Sequence, residues 1–87
     1  MIKAWFDTAW EEYLYWQKQD KKTLKKINEL LKDIDRNGYA GIGKPEMLKG
    51  NLSGFCSRQI DEKNRFVYRI AENRIEIAQC GSHYRDK

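Results

Sequence analysis

A small set of ionisable side chains in the centre and at the end of this 87-residue chain has the types needed to cleave RNA. The only histidine, His83, is followed at once by Tyr84. An imidazole has an ordinary pKa of roughly 6.5 and therefore gives or takes a proton near neutral pH. Glu46 and Lys49 lie in a loop-rich central segment, and Arg65 opens an apolar strand. These groups could act together only if the fold brings them to one place.

RNA can be cut by attack of its own 2′-hydroxyl on the adjacent phosphorus. The protein must then remove the hydroxyl proton, stabilise the added charge on the phosphoryl oxygens, and protonate the 5′-oxygen leaving group. A carboxylate such as Glu46 can serve as the base, a protonated His83 as the acid, and Arg65 as a bidentate clamp. This chemistry requires no metal and no cofactor. One histidine and two separated cysteines, Cys56 and Cys80, also argue against a structural zinc site.

Each candidate also has an ordinary structural explanation. A glutamate that follows Pro45 in a loop is most often solvated, and an arginine at a strand start is most often a surface or edge charge. The cations Lys44, Lys49 and Arg58 most often serve solubility. Convergence on one face of a sheet would favour catalysis, and spacing along the chain does not show convergence.

The composition predicts one globular domain over residues 1–87 with an anionic partner. The net charge is +4, the isoelectric point about 9.1, and 34% of residues are charged. Nucleic acid and an acidic protein both suit such a charge. The sequence has no apolar run near 18 residues and no signal-peptide pattern, so we expect a cytoplasmic protein without a membrane segment.

Hydrophobic periodicity predicts an α+β fold in the order β-α-α-β-β-β. Thr8 and Glu11 have capping-box spacing for a first helix over 8–19, in which Trp10, Tyr13 and Leu14 would form the buried stripe. Asp20 is placed to cap a second helix that runs to Asn37-Gly38, with a stripe of Leu24, Ile27, Leu30, Leu31 and Ile34. Strands are predicted at 2–6, 55–60, 65–71 and 74–80, with a further short strand within 46–49. The two helices would pack on one face of a mostly antiparallel sheet.

The last hairpin can be assigned a register. If Glu72-Asn73 is a two-residue loop, Ile70 faces Ile75 and Tyr68 faces Ile77, while Arg69 faces Glu76 on the other side. The helix-facing set would be Phe66, Tyr68, Ile70, Ile75 and Ile77. The opposite, basic and aromatic face would carry Arg65, Arg69, Glu76, Ser82 and Tyr84.

His83 has the wrong parity for the face that carries Arg65. It would join Arg65 only if the strand bulged or ended first, and Gly81 would tolerate such a break. We therefore expect an irregularity at Cys80-Gly81-Ser82.

Several stretches of the chain resemble the YoeB toxins, in the RelE-like superfamily of bacterial toxin–antitoxin systems. The matching segments are 10–16 (WEEYLYW), 25–30 (KKINEL), 43–46 (GKPE), 48–49 with 51–55 (NLSGF), 57–58, 65–68 (RFVY) and the closing His83-Tyr84. The resemblance covers essentially residues 1–84.

The resemblance implies a microbial-ribonuclease-like fold and a ribosome-dependent endoribonuclease that cleaves mRNA in the A site. It implies Glu46 as general base, His83 as general acid and Arg65 as transition-state stabiliser. Tyr84 would orient the substrate and Lys49 would contact phosphate, with Arg58 and Lys44 as further candidate RNA-binding cations. It also implies a cognate YefM-like antitoxin and a homodimer.

This chain departs from the family pattern at three places. Cys56 stands where a Trp is expected, Gln59 stands where a basic residue is common, and residues 85–87 extend past the usual His-Tyr ending. Two other functions stay open at this point. One is a non-catalytic protein that blocks the ribosome through phosphate contacts from Lys21, Lys22, Lys25 and Lys26. The other is gyrase poisoning, against which the terminal His-Tyr pair argues.

Overall fold

The computed structural model describes residues 1–81 as two helices packed on one face of a five-stranded sheet, which confirms the predicted α+β class. The sheet order is β1-β5-β4-β3-β2; β1 pairs with β5 in parallel, and the other three pairs are antiparallel. The elements are β1 (Ile2–Trp5), α1 (Asp7–Gln19), α2 (Lys21–Asn37), β2 (Glu46–Met47), β3 (Cys56–Gln59), β4 (Arg65–Ala71) and β5 (Arg74–Gly81), with a 3₁₀ turn at Gly50–Leu52.

The second helix begins and ends where its sequence signals predict. The Asp20 side chain accepts hydrogen bonds from the backbone N–H groups of Lys22 and Thr23, and Gly38 ends the helix with a positive φ of 66°. Its apolar stripe is buried as predicted, with Leu24 only partly so. Among residues 1–81, no helix has the length and apolar character needed to cross a membrane.

The first helix differs from the prediction at its start and in its buried face. It begins at Asp7 without a side-chain cap, so the predicted Thr8 capping box is wrong. Trp10 and Leu14 are 44% and 40% exposed, whereas Ala9 is fully buried. The small Ala9 lets α1 approach β5 closely, and Tyr13 and Trp16 pack against the core from the same side. The large side chains of Trp10 and Leu14 are therefore turned outward.

The core lies between α2 and the central strands. It is built from Ile27, Leu30 and Ile34 of α2 and from the inward side chains of β3, β4 and β5: Cys56, Phe66, Tyr68, Ile75, Ile77 and Cys80. The predicted hairpin register is confirmed, since Ile70 pairs with Ile75, Tyr68 with Ile77, and Arg69 with Glu76. Glu72 and Asn73 take positive φ values of 52° and 63°, as a two-residue hairpin turn requires.

An irregularity interrupts β5, but three residues before Gly81. Tyr68 pairs with Ile77 while Val67 pairs with Gln79, so Ala78 is an extra residue on the β5 side. Cys80 and Gly81 then pair regularly with Phe66 and Arg65, which corrects the predicted position of the irregularity; Ser82 lies outside the described residues. The bulge reverses the alternation, so Cys80 takes its place on the helix-facing side, in the core.

Candidate active site

Glu46 lies on the face of the sheet that is turned away from the helices. It pairs with Ser57, Ser57 with Val67, and Val67 with Gln79, so the four residues form one row across β2, β3, β4 and β5. Residues paired in this way share a face. The next residues along β3 and β4, Cys56 and Tyr68, belong to the core cluster, whereas Val67 is buried outside it. The row of Glu46 is therefore the helix-distal one.

Arg65 lies in the neighbouring row of the same face, where it pairs with Gln59 on one side and Gly81 on the other. Its strand is two strand spacings, of about 4.8 Å each, from that of Glu46. The half-buried Arg65 side chain donates from Nη1 to the carbonyl oxygens of Asp61 (2.9 Å) and Asn64 (3.3 Å) in the preceding turn. The fold thus brings two of the predicted site residues onto one face.

Two exposed lysines flank β2. Lys44 follows Gly43, whose carbonyl accepts a hydrogen bond from Gln59 N at 2.7 Å, and it adopts a left-handed φ of 52° just before Pro45. A cleft of about 560 Å³ lies beside this loop and is lined by Lys26 and Lys44 together with the turn after β3. Lys49 immediately precedes the 3₁₀ turn at Gly50–Leu52. Both ammonium groups are thus available to an anionic ligand near the rim of the site.

Arg58 does not belong to this face, in contrast to its predicted role as an RNA-binding cation. It pairs with Phe66 on the helix-facing side, and its side chain has no exposed area. The guanidinium forms an ion pair with Asp33 and donates to the carbonyl oxygens of Gly38, Ala40 and Ile42. A cation enclosed by these acceptors has no free N–H edge for a phosphate.

The two other arginines of the helix-distal face, Arg69 and Arg74, both form ion pairs with Glu76. Arg69 forms an ion pair with Glu76 and lies 4.8 Å above the ring centroid of Phe55. Hydrogen bonds from Arg69 and Arg74 lower the pKa of Glu76, which stays ionised at neutral pH. Ser57, Val67 and Gln79 are each 5% exposed or less, so the middle of this face is closed rather than open. Glu46 and Lys49 are exposed and form no ion pair among residues 1–81, and Arg65 beside them is half-buried.

The end of β5 is held by α1 rather than by a further strand. Because β1 stops opposite Ile77, the backbone of Cys80 is paired with side chains instead: Cys80 N donates to Glu12 Oε1 at 2.9 Å, and Trp16 Nε1 donates to Cys80 O at 2.8 Å. His83 and Tyr84 lie outside the described residues. Burial raises the pKa of the Cys80 thiol to about 12, so this cysteine is an inert core group.

The principal residue that the sequence did not reveal is Asp33, the carboxylate partner of Arg58. It lies on α2 beside the buried stripe, where an aspartate is ordinarily solvated. The hydrogen bond from Arg58 lowers its pKa, so that the pair is charged at neutral pH. No spacing rule connects positions 33 and 58; a signal was present only in the glycines at 38, 41 and 43 between them.

Comparison with known proteins identifies the family. The profile of YoeB-like toxins of bacterial type II toxin–antitoxin systems matches residues 5–84. The chain is 52% identical to the toxin YoeB of Escherichia coli K12 over 84 residues, which is 97% of this chain and 100% of that protein.

The chain belongs to the YoeB toxin family.

Solved structures of YoeB toxins share the fold in detail. A YoeB/ParE toxin from Agrobacterium tumefaciens superposes with a TM-score of 0.94 at 42% identity, covering 97% of this chain and 100% of that one. YoeB in a YoeB–YefM complex from Staphylococcus aureus gives 0.91 at 52% identity, covering 97% and 98%. A YoeB dimer from the same organism gives 0.90 at 53% identity, with the same coverage. YafQ from E. coli, at 14% identity and a TM-score of 0.71, shares the fold alone.

Proposed function

We propose that this YoeB-family toxin is a ribosome-dependent endoribonuclease that cleaves mRNA by attack of the 2′-hydroxyl. The observation that carries the proposal is the placement of Glu46 and Arg65 on one helix-distal face, next to the exposed Lys49, in a chain of this family. A carboxylate and a guanidinium that lie two strand spacings apart leave room for a phosphodiester between them. The 2′-hydroxyl would face the Glu46 carboxylate, and the phosphoryl oxygens would face the Arg65 guanidinium.

In the proposed mechanism Glu46 is the general base, His83 the general acid and Arg65 the transition-state stabiliser. Arg65 would exchange its hydrogen bonds to the Asp61–Asn64 turn for the phosphoryl oxygens, which carry more negative charge in the transition state than in the substrate. Lys49 would contact a neighbouring phosphate, and Tyr84 would stack on or orient the substrate. Each proton transfer contributes roughly 10²–10⁴-fold to the rate.

The distribution of charge supports a nucleic-acid partner beyond the site itself. Residues 18–32 contain six lysines and two acidic residues, so this segment carries a net charge of +4. That equals the net charge of the whole chain, so the positive and negative charges of the other residues cancel. A cleft lined by Lys22 and Lys26 joins the start of α2 to Ile60 and Asp61, and Arg65 donates a hydrogen bond to the Asp61 carbonyl. A strand of RNA that leaves the site past Lys44 would meet these lysines next. Such contacts act through phosphates and weaken steeply with salt.

The proposed partners are the bacterial ribosome with its mRNA, a YefM-like antitoxin, and a second copy of the chain. The S. aureus relatives solved as a YoeB–YefM complex and as a YoeB dimer support the last two. An antitoxin that neutralises the enzyme would have to cover the face that carries Glu46 and Arg65. The basic surface makes an acidic antitoxin segment the complementary one.

The function is tested by adding the purified protein to a bacterial translation reaction and mapping the 5′ ends of the mRNA. The wild type should produce new ends that depend on ribosomes. Glu46→Gln and His83→Gln should each lower the single-turnover cleavage rate by about 10²-fold or more. Each substitution replaces a proton-transfer group by a polar amide that does not transfer protons at neutral pH. Arg65→Lys should also lower it, since a lysine point charge cannot form a bidentate contact.

The matched control is Glu72→Gln. Glu72 is an exposed carboxylate in the β4–β5 turn, at the other end of the sheet, and its loss should leave the rate unchanged. Wild-type rates in Glu46→Gln and His83→Gln would refute the assigned mechanism. Inhibited translation with intact mRNA would instead support the non-catalytic ribosome-binding alternative, and a second set of variants at Lys21 and Lys25 would then test the phosphate contacts.

A further inference from the structure

Arg58 is the largest fully buried side chain among the described residues, and the proposed mechanism gives it no role. Each nitrogen of its guanidinium donates hydrogen bonds to surrounding groups. Nε donates to Tyr68 Oη at 3.1 Å, Nη2 to the carbonyls of Gly38 and Ala40 at 2.8 Å each, and Nη1 to Asp33 and to Ile42 O at 2.9 Å. Burial alone would lower the pKa of Arg58, but the hydrogen bonds with Asp33 and Tyr68 outweigh it and the pKa is raised.

The carbonyls that bind Arg58 belong to the irregular segment that joins α2 to β2. Those of residues 38, 40 and 42 turn toward the guanidinium, and the Ile42 N–H donates to Asp33 Oδ2 at 3.2 Å. Gln59 N then holds Gly43 O at 2.7 Å, three residues before Glu46. Hydrogen bonds therefore hold the carbonyls of residues 38, 40, 42 and 43, the last of which is three residues before β2.

Gly41 shows how closely the segment is wrapped. It adopts a φ of 126°, and a Cβ atom at this position would lie 1.9 Å from Asp33 Oδ2 and 3.1 Å from Arg58 Nη1. Only glycine fits between the main chain and the ion pair. The main chain at Gly41 therefore packs directly against the Arg58–Asp33 ion pair.

From this geometry we infer that Arg58 and Asp33 are positioning residues for Glu46, which they place through the main chain of residues 38–43. The inference rests on the proposed function, in which Glu46 is the general base. β2 is a two-residue strand at the edge of the sheet with two cross-strand pairs to β3, so its position depends also on the segment that leads into it. Arg58 itself lies on β3, next to the Ser57 that pairs with Glu46, so the guanidinium ties the approach to β2 to the strand that β2 pairs with. A general base displaced by about 1 Å can lose 10²-fold in rate.

The test compares Asp33→Asn with Asp35→Asn. Both substitutions remove one charged carboxylate from α2, and Asp35 pairs with Lys3 and the N-terminus at the surface. Cleavage of ribosome-bound mRNA is measured at steady state over a range of substrate concentrations, at a temperature where thermal melts show each variant fully folded. We expect Asp33→Asn to lower kcat about tenfold or more with KM within twofold, and Asp35→Asn to leave both unchanged. Arg58→Lys keeps the positive charge but loses the planar set of guanidinium donors, so it should lower kcat in the same way.

Amide hydrogen exchange provides a readout that does not depend on activity. Asp33→Asn should speed exchange at Ile42 and Glu46 by tenfold or more and leave the β4 amides unchanged. A wild-type kcat in folded Asp33→Asn, or unchanged exchange at Glu46, would overturn the positioning role. If the wild type itself fails to cleave, the proposed function is wrong, and the exchange measurement still decides whether Arg58 and Asp33 order the approach to β2.

Discussion

Replacing Arg58 by methionine should destabilise this protein more than any exposed arginine replacement. The substitution keeps most of the apolar stem but removes the guanidinium, which leaves the Asp33 carboxylate without its cation and the carbonyls of Ala40 and Ile42 without their donor. Removing one partner of a buried ion pair costs about 3–5 kcal/mol, because the other charge stays desolvated. A domain of this length has a free energy of unfolding of roughly 4–13 kcal/mol, so the loss is a large share of the total.

The measurement is urea unfolding followed by tryptophan fluorescence and circular dichroism, with thermal melts alongside. At roughly 4–8 °C per kcal/mol, the midpoint of Arg58→Met should fall by more than about 12 °C. The control is Arg69→Met on the neighbouring strand. That side chain is 46% exposed, and Glu76 keeps its ion pair with Arg74, so no carboxylate is left without a partner. Its loss should cost roughly 1 kcal/mol for the exposed pair and the Phe55 ring contact together.

An Arg58→Met variant whose free energy of unfolding lies within about 1 kcal/mol of Arg69→Met would refute the reasoning. It would mean that water or a rearranged loop replaces the guanidinium at little cost. A lower denaturant slope in Arg58→Met would point instead to loosening of the native loop before global unfolding, and amide exchange would locate it.

Three further predictions follow from the same structure. The Arg58 hydrogen bond lowers the folded-state pKa of Asp33 below 3.8, so the ionised Asp33 stabilises the fold at neutral pH. This contribution is lost as the pH falls below the ordinary carboxyl range. The difference in melting temperature between wild type and Asp33→Asn should therefore shrink on acidification. Cys56 and Cys80 are fully buried, so neither thiol should react with a thiol reagent at pH 8 until guanidinium chloride unfolds the chain, and rapid native-state labelling would contradict this. Asp20→Ala should lower the melting temperature by several degrees while Thr8→Ala leaves it unchanged, since only Asp20 caps a helix; equal melting temperatures for the two variants would count against the cap.

The elements and the final hairpin were predictable from sequence because they depend on local signals. Helical spacing defines α2, Asp20 and Gly38 fix its ends, and the Glu72-Asn73 turn sets a register that buries Tyr68 opposite Ile77. The outward position of Trp10 was not predictable in this way. Helical spacing identifies a stripe but not which side of it meets the sheet, and Ala9 decided that by allowing close approach to β5.

The sequence by itself determined the fold class, the family and the candidate chemistry of Glu46, Arg65 and His83, since motifs and periodicities are written along the chain. Only the tertiary structure decided that Glu46 and Arg65 share a face, because that depends on the pairing of β2, β3 and β4. It also placed Arg58 inside, bound to Asp33, where the family resemblance had suggested an RNA-binding cation. Burial and partnership arise from contacts between residues distant in sequence, and no local pattern encodes them.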